Sequence, residues 1–114
     1  MIREEAVKGK VIEVFGINES MLLRGDTAQL YMLARSALAN LLYQSGYSVP
    51  QIAKIAGRSV RTEENDYLRF HRLRMQQVER YRERFIKCRE ELKIGEEIQD
   101  KEAHPKGVFT LDGR

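Results

Sequence analysis

Arginine and hydroxyl side chains follow a glycine in the stretch 52-IAKIAGRSVRT-62, and their spacing suits contact with phosphate groups. Arg58 and Arg61 are cations of the kind that bind phosphate oxygens or the O6 and N7 edge of guanine. Ser59 and Thr62 are hydroxyls that bond to phosphate together with a backbone N–H. The stretch therefore predicts a contact with nucleic acid.

The neighbouring residues explain how this stretch is positioned. Ser48 and Gln51 form a predicted capping box, in which each side chain satisfies a backbone N–H, and Pro50 suits the first turn of a helix over 49–56. Gly57 is the expected left-handed residue at the end of that helix. A small residue at a helix crossing, a glycine at the turn and a hydroxyl that caps the second helix are typical of a helix-turn-helix.

The rest of the chain also predicts helices, because prolines are rare and glycines fall at the ends of periodic runs. The expected elements are a helix over about 2–15 that stops at Gly16, a short turn capped by Asn18, a main apolar helix over 27–44 that stops at Gly46, and the helix over 49–56. The tripeptide RGD at 24–26 is expected in a loop before the main helix, which a capping box of Asp26 and Gln29 opens.

The last predicted helix is long, from about Thr62 to Lys93, and one apolar stripe runs along it. Steps of three and four residues place the stripe on a single face. Its members are Met75, Val78, Tyr81, Phe85, Cys88 and Leu92. The stripe extends beyond what a small three-helix core covers. We therefore expect it to pack on the first helix, on a second copy of the chain as a homodimer, or on a partner protein.

These elements predict an all-α protein. Residues 1–94 form a small helical domain with a helix-turn-helix and a long C-terminal helix that Gly95 ends. Residues 95–114 lack periodicity and are expected to form a mostly flexible tail, in which the segment VFTL could pair as a short strand.

The composition limits what such a domain does. A chain of 114 residues suits one domain without a roomy cleft, and no apolar run approaches the roughly 18–20 residues that cross a bilayer. A charged N-terminus without an apolar signal core predicts a cytoplasmic location. One cysteine and two histidines are too few for a usual zinc site. With no glycine-rich phosphate loop, Ser-His-Asp set or paired carboxylates beside a base, we expect no enzymatic activity, cofactor, metal or small-molecule substrate.

Charge is distributed unevenly along the chain. Residues 1–66 have 8 Lys/Arg and 8 Asp/Glu, residues 67–93 have 9 and 4, and residues 94–114 have 3 and 5. A basic segment within a nearly neutral protein favours a polyanion partner, because contacted phosphates release counterions. The alternative is that exposed helices need charge for solubility, and charge alone leaves both interpretations open.

Three stretches resemble the C-terminal DNA-binding domain of DnaA, the bacterial chromosomal replication initiator. They are 11-VIEVFGINESMLL-23, 34-ARSALANLL-42 and 48-SVPQIAKIAGR-58, in the order found in that family. The resemblance covers about residues 11–62 and implies a helix-turn-helix that binds double-stranded DNA. It implies that Arg35 contacts the DNA backbone. It also implies that the groove is lined by Arg58, Ser59, Arg61 and Thr62. Without a counterpart of the initiator's ATPase part, it implies a replication or transcription accessory factor, or the product of a phage or mobile element.

The chain departs from that family after Arg58. The family's Asp-His-Thr-Thr-Val gives way to 59-SVRTEEN-65, in which Glu63 stands where the family has an inward valine, so the family's origin code is not expected. With Thr62 as the N-cap of the last helix, Glu63 and Glu64 lie in a first turn, where the helix dipole favours each negative charge by about 0.3–1 kcal/mol. The same carboxylates repel phosphate. Binding therefore requires that they point sideways or accept a hydrogen bond from a cytosine amino group.

Two functions follow from the sequence. The first is binding of double-stranded DNA, with the candidate contact residues Arg35, Lys54, Arg58, Ser59, Arg61, Thr62, Arg69 and Arg72. The second is a protein-interaction or dimerisation module on a re-surfaced helix-turn-helix scaffold, with the apolar stripe as its working surface. The two glutamates and the acidic tail favour the second.

Overall fold

The computed structural model describes residues 2–23 and 28–94. Its helices are α1 (Glu4–Phe15), α2 (Glu19–Leu23), α3 (Gln29–Gln44), α4 (Val49–Ala56), α5 (Val60–Thr62), α6 (His71–Gln77) and α7 (Glu79–Leu92), with a π-helix (Glu63–Leu68) that continues α5. All regular structure in these ranges is helical, which confirms the all-α prediction. The RGD loop, the capping residue Asp26, Gly95 and the tail with its VFTL segment lie outside the described residues.

Several helix ends in the first half of the chain fall where local sequence predicts them, but the start of the main helix does not: α3 begins at Gln29, with Ala28 at its N-cap position and no side-chain cap. Gly16 and Gly57 adopt left-handed conformations with φ of 70° and 72°, as expected of C-terminal caps. The Asn18 side chain accepts the Met21 N–H at 2.9 Å at the start of α2. At the start of α4 the Ser48 hydroxyl accepts the Gln51 N–H, and the Gln51 side chain accepts the Ser48 N–H at 2.8 Å, which completes the capping box.

The core lies around α3. Every residue from Leu33 to Leu42 is buried, and α1, the π-helix and α7 pack on different sides of this helix. Val7, Val11 and Phe15 bring the apolar face of α1 into the same core. Helix α3 is therefore enclosed by its neighbours rather than exposed along one face, which accounts for its run of small and apolar residues.

The prediction of one long helix from Thr62 to Lys93 is wrong. The second helix begins earlier, at Val60, because the Ser59 hydroxyl rather than Thr62 supplies the N-cap. The chain then passes through the π-helix, bends at Phe70 and breaks at Val78, whose backbone is extended with φ −115° and ψ 97°. No proline or glycine marks these two positions, and so the interruption comes from tertiary contacts rather than from local propensity.

At these breaks, backbone carbonyls lose their partners within the helix, and side chains from other parts of the fold donate hydrogen bonds to them. The Tyr67 carbonyl accepts from the Ser36 hydroxyl at 3.0 Å, from the Asn40 amide at 3.1 Å and from the Arg74 guanidinium at 3.3 Å. Arg74 also donates to the Asp66 carbonyl at 2.8 Å. Because a buried carbonyl without a donor is costly, these donors from α3 and α6 stabilise the bend after the π-helix.

A second arginine spans the break at Val78. The Arg82 guanidinium donates to the Met75 carbonyl at 3.0 Å, near the end of α6. Beside this break the Tyr81 hydroxyl lies 2.8 Å from His71 Nδ1 and 3.1 Å from the Ser36 hydroxyl. Burial and, to a smaller extent, the nearby arginines together lower the pKa of His71 to about 4, so the imidazole is a neutral hydrogen-bonding partner at neutral pH.

The apolar stripe belongs largely to the core and is not an open surface. Tyr81, Phe85 and Cys88 are fully buried where α7 packs on α1 and α3, while Met75, Val78 and Leu92 are half-buried. The sequence left three possible packing partners for the stripe, and in the structure α7 packs on the first helix, α1. Burial raises the pKa of the Cys88 thiol to about 12, which keeps it protonated. Among the described helices, none is long and apolar enough to cross a membrane.

Replacement of a buried stripe residue should therefore reduce stability. We expect Phe85→Ala to lower the free energy of unfolding by about 3–5 kcal/mol, since it leaves a cavity between α7, α1 and α3. Phe70→Ala is the matched control, because Phe70 is 41% exposed and its truncation should cost about 1 kcal/mol or less. Urea unfolding followed by circular dichroism measures both. Equal small losses would contradict the packing of α7 on the core.

Candidate nucleic-acid interface

A helix, a three-residue turn and a second helix follow one another at residues 49–68. Helix α4 ends at Gly57, and Ser59 then starts the next helix by accepting the Thr62 N–H at 3.1 Å. The Ser59 hydroxyl also donates to the Thr62 hydroxyl at 3.0 Å. The two hydroxyls that the sequence nominated as phosphate ligands therefore form the cap of this helix, with Ser59 exposed and Thr62 half-buried.

Arg35 does not lie on the surface. Its side chain is buried, with a relative exposure of 3% for the residue. Its Nε donates to the Leu22 carbonyl at 2.8 Å and its Nη2 to the Met21 carbonyl at 2.9 Å, at the end of α2. The expected contact with a DNA backbone is therefore wrong for this arrangement, because the guanidinium faces inward and holds a helix end. The role that the resemblance implies for Arg35 requires an exposed side chain, and in this fold the side chain is buried.

Arg58 is half-buried and also bonds to backbone carbonyls. It donates to the Ala56 carbonyl at 3.1 Å and to the Leu22 carbonyl at 3.4 Å, and its guanidinium lies 5.8 Å from the centre of the Tyr67 ring. Arg58 thus ties the turn after α4 to α2 and to the π-helix. Because Arg58 stabilises the turn, its replacement would change stability as well as binding, and it is therefore unsuitable for a test of binding.

The other candidate cations are exposed. Lys54 lies on α4, Arg61 on α5, Arg69 directly after the π-helix and Arg72 on α6. The Arg69 guanidinium lies 5.5 Å from the centre of the exposed Phe70 ring. The structure therefore separates the predicted cations into four that face solvent and two, Arg35 and Arg58, that hold the fold.

Asn65 is an exposed polar residue that the sequence analysis did not select. It lies in the π-helix, four residues after Arg61 and four before Arg69. Its side-chain amide makes no hydrogen bond to any residue in the described ranges, so both its donor and its acceptor face solvent. The four-residue spacing of Arg61, Asn65 and Arg69 was a signal in the sequence that could have indicated this residue.

Glu63 is buried, unlike its neighbour Glu64. Its relative exposure is 1%, and its Oε2 has no hydrogen-bond donor within the described part of the chain. Burial raises the pKa of the Glu63 carboxyl to about 7; the nearby Arg58 guanidinium lowers it in part and Asp66 raises it. The expectation that both glutamates meet an approaching phosphate is therefore wrong for Glu63, which takes the inward position, and applies only to Glu64.

An open groove adjoins these exposed residues. A volume of about 580 Å³ lies between the end of α3 and α6, with Tyr43, Leu68 and Leu73 as its apolar lining and Arg69 and Arg72 as its cations. Tyr43 and Leu73 are 56% and 46% exposed. Elsewhere in the described ranges, no group of three or more His, Cys, Asp or Glu side chains could hold a metal ion.

The fold is an all-α domain in which exposed cations lie on α4, α5 and α6 and directly after the π-helix. No protein-family model, curated protein or solved structure compared with the chain matches it. The resemblance to the DnaA domain therefore stays a prediction.

The buried carboxyl predicts a pH dependence of stability. Because the folded-state pKa of Glu63 is about 7 and its ordinary value is 4.5, ionisation is harder in the folded protein than in the unfolded chain. The stabilisation associated with the protonated form is complete below pH 4.5 and is lost as the pH rises through 7. Between about pH 5 and 8, Glu63→Gln should gain roughly 2–3 kcal/mol of unfolding free energy relative to the unmodified chain.

Urea unfolding at the two pH values measures this difference. Glu64→Gln is the control, since Glu64 is exposed and its replacement should change the free energy of unfolding little at either pH. A constant difference between Glu63→Gln and the unmodified chain across this pH range would show that Glu63 is not desolvated.

Proposed function

We propose that this protein binds double-stranded DNA without catalysing a reaction, through α4, the turn after it and the helix that follows. The observation that supports this most is the burial of Glu63. With that carboxylate withdrawn, the exposed charges between residues 54 and 72 are four cations and only two carboxylates, Glu64 and Asp66. Duplex DNA is a polyanion and is attracted to a helical segment with an excess of positive charge.

The proposed contact uses the exposed cations rather than the whole set from the resemblance. Lys54, Arg61, Arg69 and Arg72 contact phosphates or base edges, while Arg35 and Arg58 hold the helices that present them. Ser59 and Thr62 contribute through the helix start that they cap, where backbone N–H groups favour an anion. The modest excess of charge suits weak binding to generic duplex, in the range of about 10⁻⁴ to 10⁻⁶ M at physiological salt.

The biological role that accompanies this proposal comes from the resemblance to the DnaA domain. A duplex-binding domain of this kind acts as a replication or transcription accessory factor, of bacterial or phage origin, in the cytoplasm where the chromosome lies. The divergent residues from Ser59 to Asn65 support a target sequence different from that of the initiator.

A second candidate function is a protein-interaction module. The exposed Tyr43 and Leu73 beside the groove favour it, since apolar side chains next to arginines are common in protein interfaces. The apolar stripe no longer supports it, because Tyr81, Phe85 and Cys88 are fully buried. Sedimentation distinguishes the two functions: a dimer that Leu73→Asp dissociates, together with no affinity for duplex DNA, would favour the module.

Titration of generic duplex DNA tests the main proposal. Fluorescence anisotropy with a labelled duplex at low salt should give micromolar binding that weakens steeply as salt is added. Arg61→Glu should weaken binding by about tenfold or more and reduce the slope of log K against log salt by about 1. A titration without any change in anisotropy would refute the proposal.

The matched control is Lys87→Glu, which makes the same change in net charge. Lys87 is exposed on α7, in the half of the helix that lies near α1: the neighbouring Cys88 contacts the Lys10 carbonyl at 3.9 Å. We expect Lys87→Glu to bind duplex nearly as well as the unmodified chain. Equal losses for both variants would indicate a general effect of net charge instead of a contact at Arg61.

A further inference from the structure

Three exposed side chains, Arg61, Asn65 and Arg69, recur at four-residue intervals along α5 and the π-helix and so form one row on one face. The Arg69 N–H donates to the Glu64 carbonyl at 3.0 Å, five residues earlier, which is the hydrogen bond of a π-helix. In an α-helix each residue turns by roughly 100°, so residues four apart drift by roughly 40° around the axis. A π-helix turns more slowly, by roughly 80° per residue, so residues four apart drift by roughly 40° in the opposite direction. In either kind of winding, residues four apart stay on the same face of the helix.

Burial supports this alignment. Glu63 and Tyr67 are 1% and 4% exposed and face the core, again with a spacing of four residues. Arg61, Asn65 and Arg69 are exposed on the opposite side of the same segment. Because residues four apart share a face of a helix, the two buried residues and the three exposed residues define an inner and an outer face of this segment.

The side chains in this row are those that recognise purines. An asparagine amide bonds in a bidentate manner to N6 and N7 of adenine, and an arginine guanidinium to O6 and N7 of guanine, both in the major groove. The Asn65 amide has its donor and acceptor unused within the described ranges. Residues four apart on a helix lie roughly 6 Å apart along the axis, which corresponds to roughly two base pairs.

We propose that this row recognises a specific sequence, an inference that rests on the duplex binding proposed above. Asn65 contacts an adenine, and Arg61 and Arg69 contact a guanine on either side of it. The three purines lie within roughly five base pairs. The row begins at α5 and extends along the π-helix, so recognition involves residues beyond the turn where the resemblance locates it.

The two exposed carboxylates flank the row and sharpen this recognition. Glu64 and Asp66 adjoin Asn65 in the chain, and both are exposed. A carboxylate accepts a hydrogen bond from the N4 amino group of cytosine, the partner of each proposed guanine, but it repels phosphate. The flanking acids therefore lower affinity for generic duplex and favour sites in which G·C pairs lie beside the adenine.

Selection from a randomised duplex library tests the proposal. The full chain should enrich sites with guanine, adenine and guanine within roughly five base pairs. Asn65→Ala should keep both guanines and lose the preference for adenine at the central position by roughly 5–100-fold. Gln77→Ala is the control, because Gln77 is exposed on α6 outside the row, and it should select the same sites as the unmodified chain.

A second variant tests the flanking carboxylates. Glu64→Gln should raise affinity for generic duplex by roughly 3–10-fold and lower the ratio of specific to generic affinity. Circular dichroism and thermal unfolding of both variants should match the unmodified chain, since neither side chain is buried.

The outcomes separate this inference from the proposed function. Duplex binding without an enriched sequence would overturn the inference and leave the proposed function in place. An adenine preference that persists in Asn65→Ala would do the same. Absence of binding to any duplex, by the library and by the generic titration, would overturn both.

Discussion

Arginine side chains that donate to backbone carbonyls at helix ends are the interaction on which this fold depends. A helix that stops inside a protein leaves carbonyls without intrahelical donors, and each one buried without a partner is costly. Arg35 bonds to the end of α2, Arg58 to that of α4, Arg74 to that of the π-helix and Arg82 to that of α6. Because a guanidinium offers five donors in a plane, one side chain serves two carbonyls at once. These contacts let a short chain turn sharply several times around α3.

Because several arginines bond to backbone carbonyls, the number of basic residues in the sequence overstates the positive charge that is available on the surface. Within residues 67–93, Arg74 and Arg82 are half-buried and bond to backbone carbonyls. The exposed cations of this range are Arg69, Arg72, Arg80, Lys87 and Lys93. Glu63 shows the opposite assignment: a carboxylate that the linear sequence would place on a phosphate-facing surface is buried near Arg58. The same two charge types thus divide between a structural set and a surface set, and the surface set has an excess of positive charge at residues 54–72.

Part of the candidate site was predictable from sequence. The two ends of α4 and the start of α5 followed from Gly57 and from the capping residues Ser48 and Ser59, because caps act over three or four residues of chain. The exposure of Arg61 was expected for the same local reason. Arg35 was not predictable, since its neighbours at the end of α2 are remote in sequence. Asn65 was missed, although its four-residue spacing from Arg61 and Arg69 is present in the sequence. A search for four-residue repeats among Arg and Asn would have found it.

Sequence alone determined the all-α class, the end of α1 at Gly16, both ends of α4 and the apolar character of α3, because all of these depend on contacts within one or two turns of helix. Tertiary structure decided where the last helix breaks, which arginines are buried and which face of the basic segment meets solvent. The Tyr67 carbonyl illustrates the physical reason: its donors Ser36 and Asn40 lie 31 and 27 residues earlier in the chain. Such bonds outweigh the local preference to continue a helix only once the chain has folded back on itself.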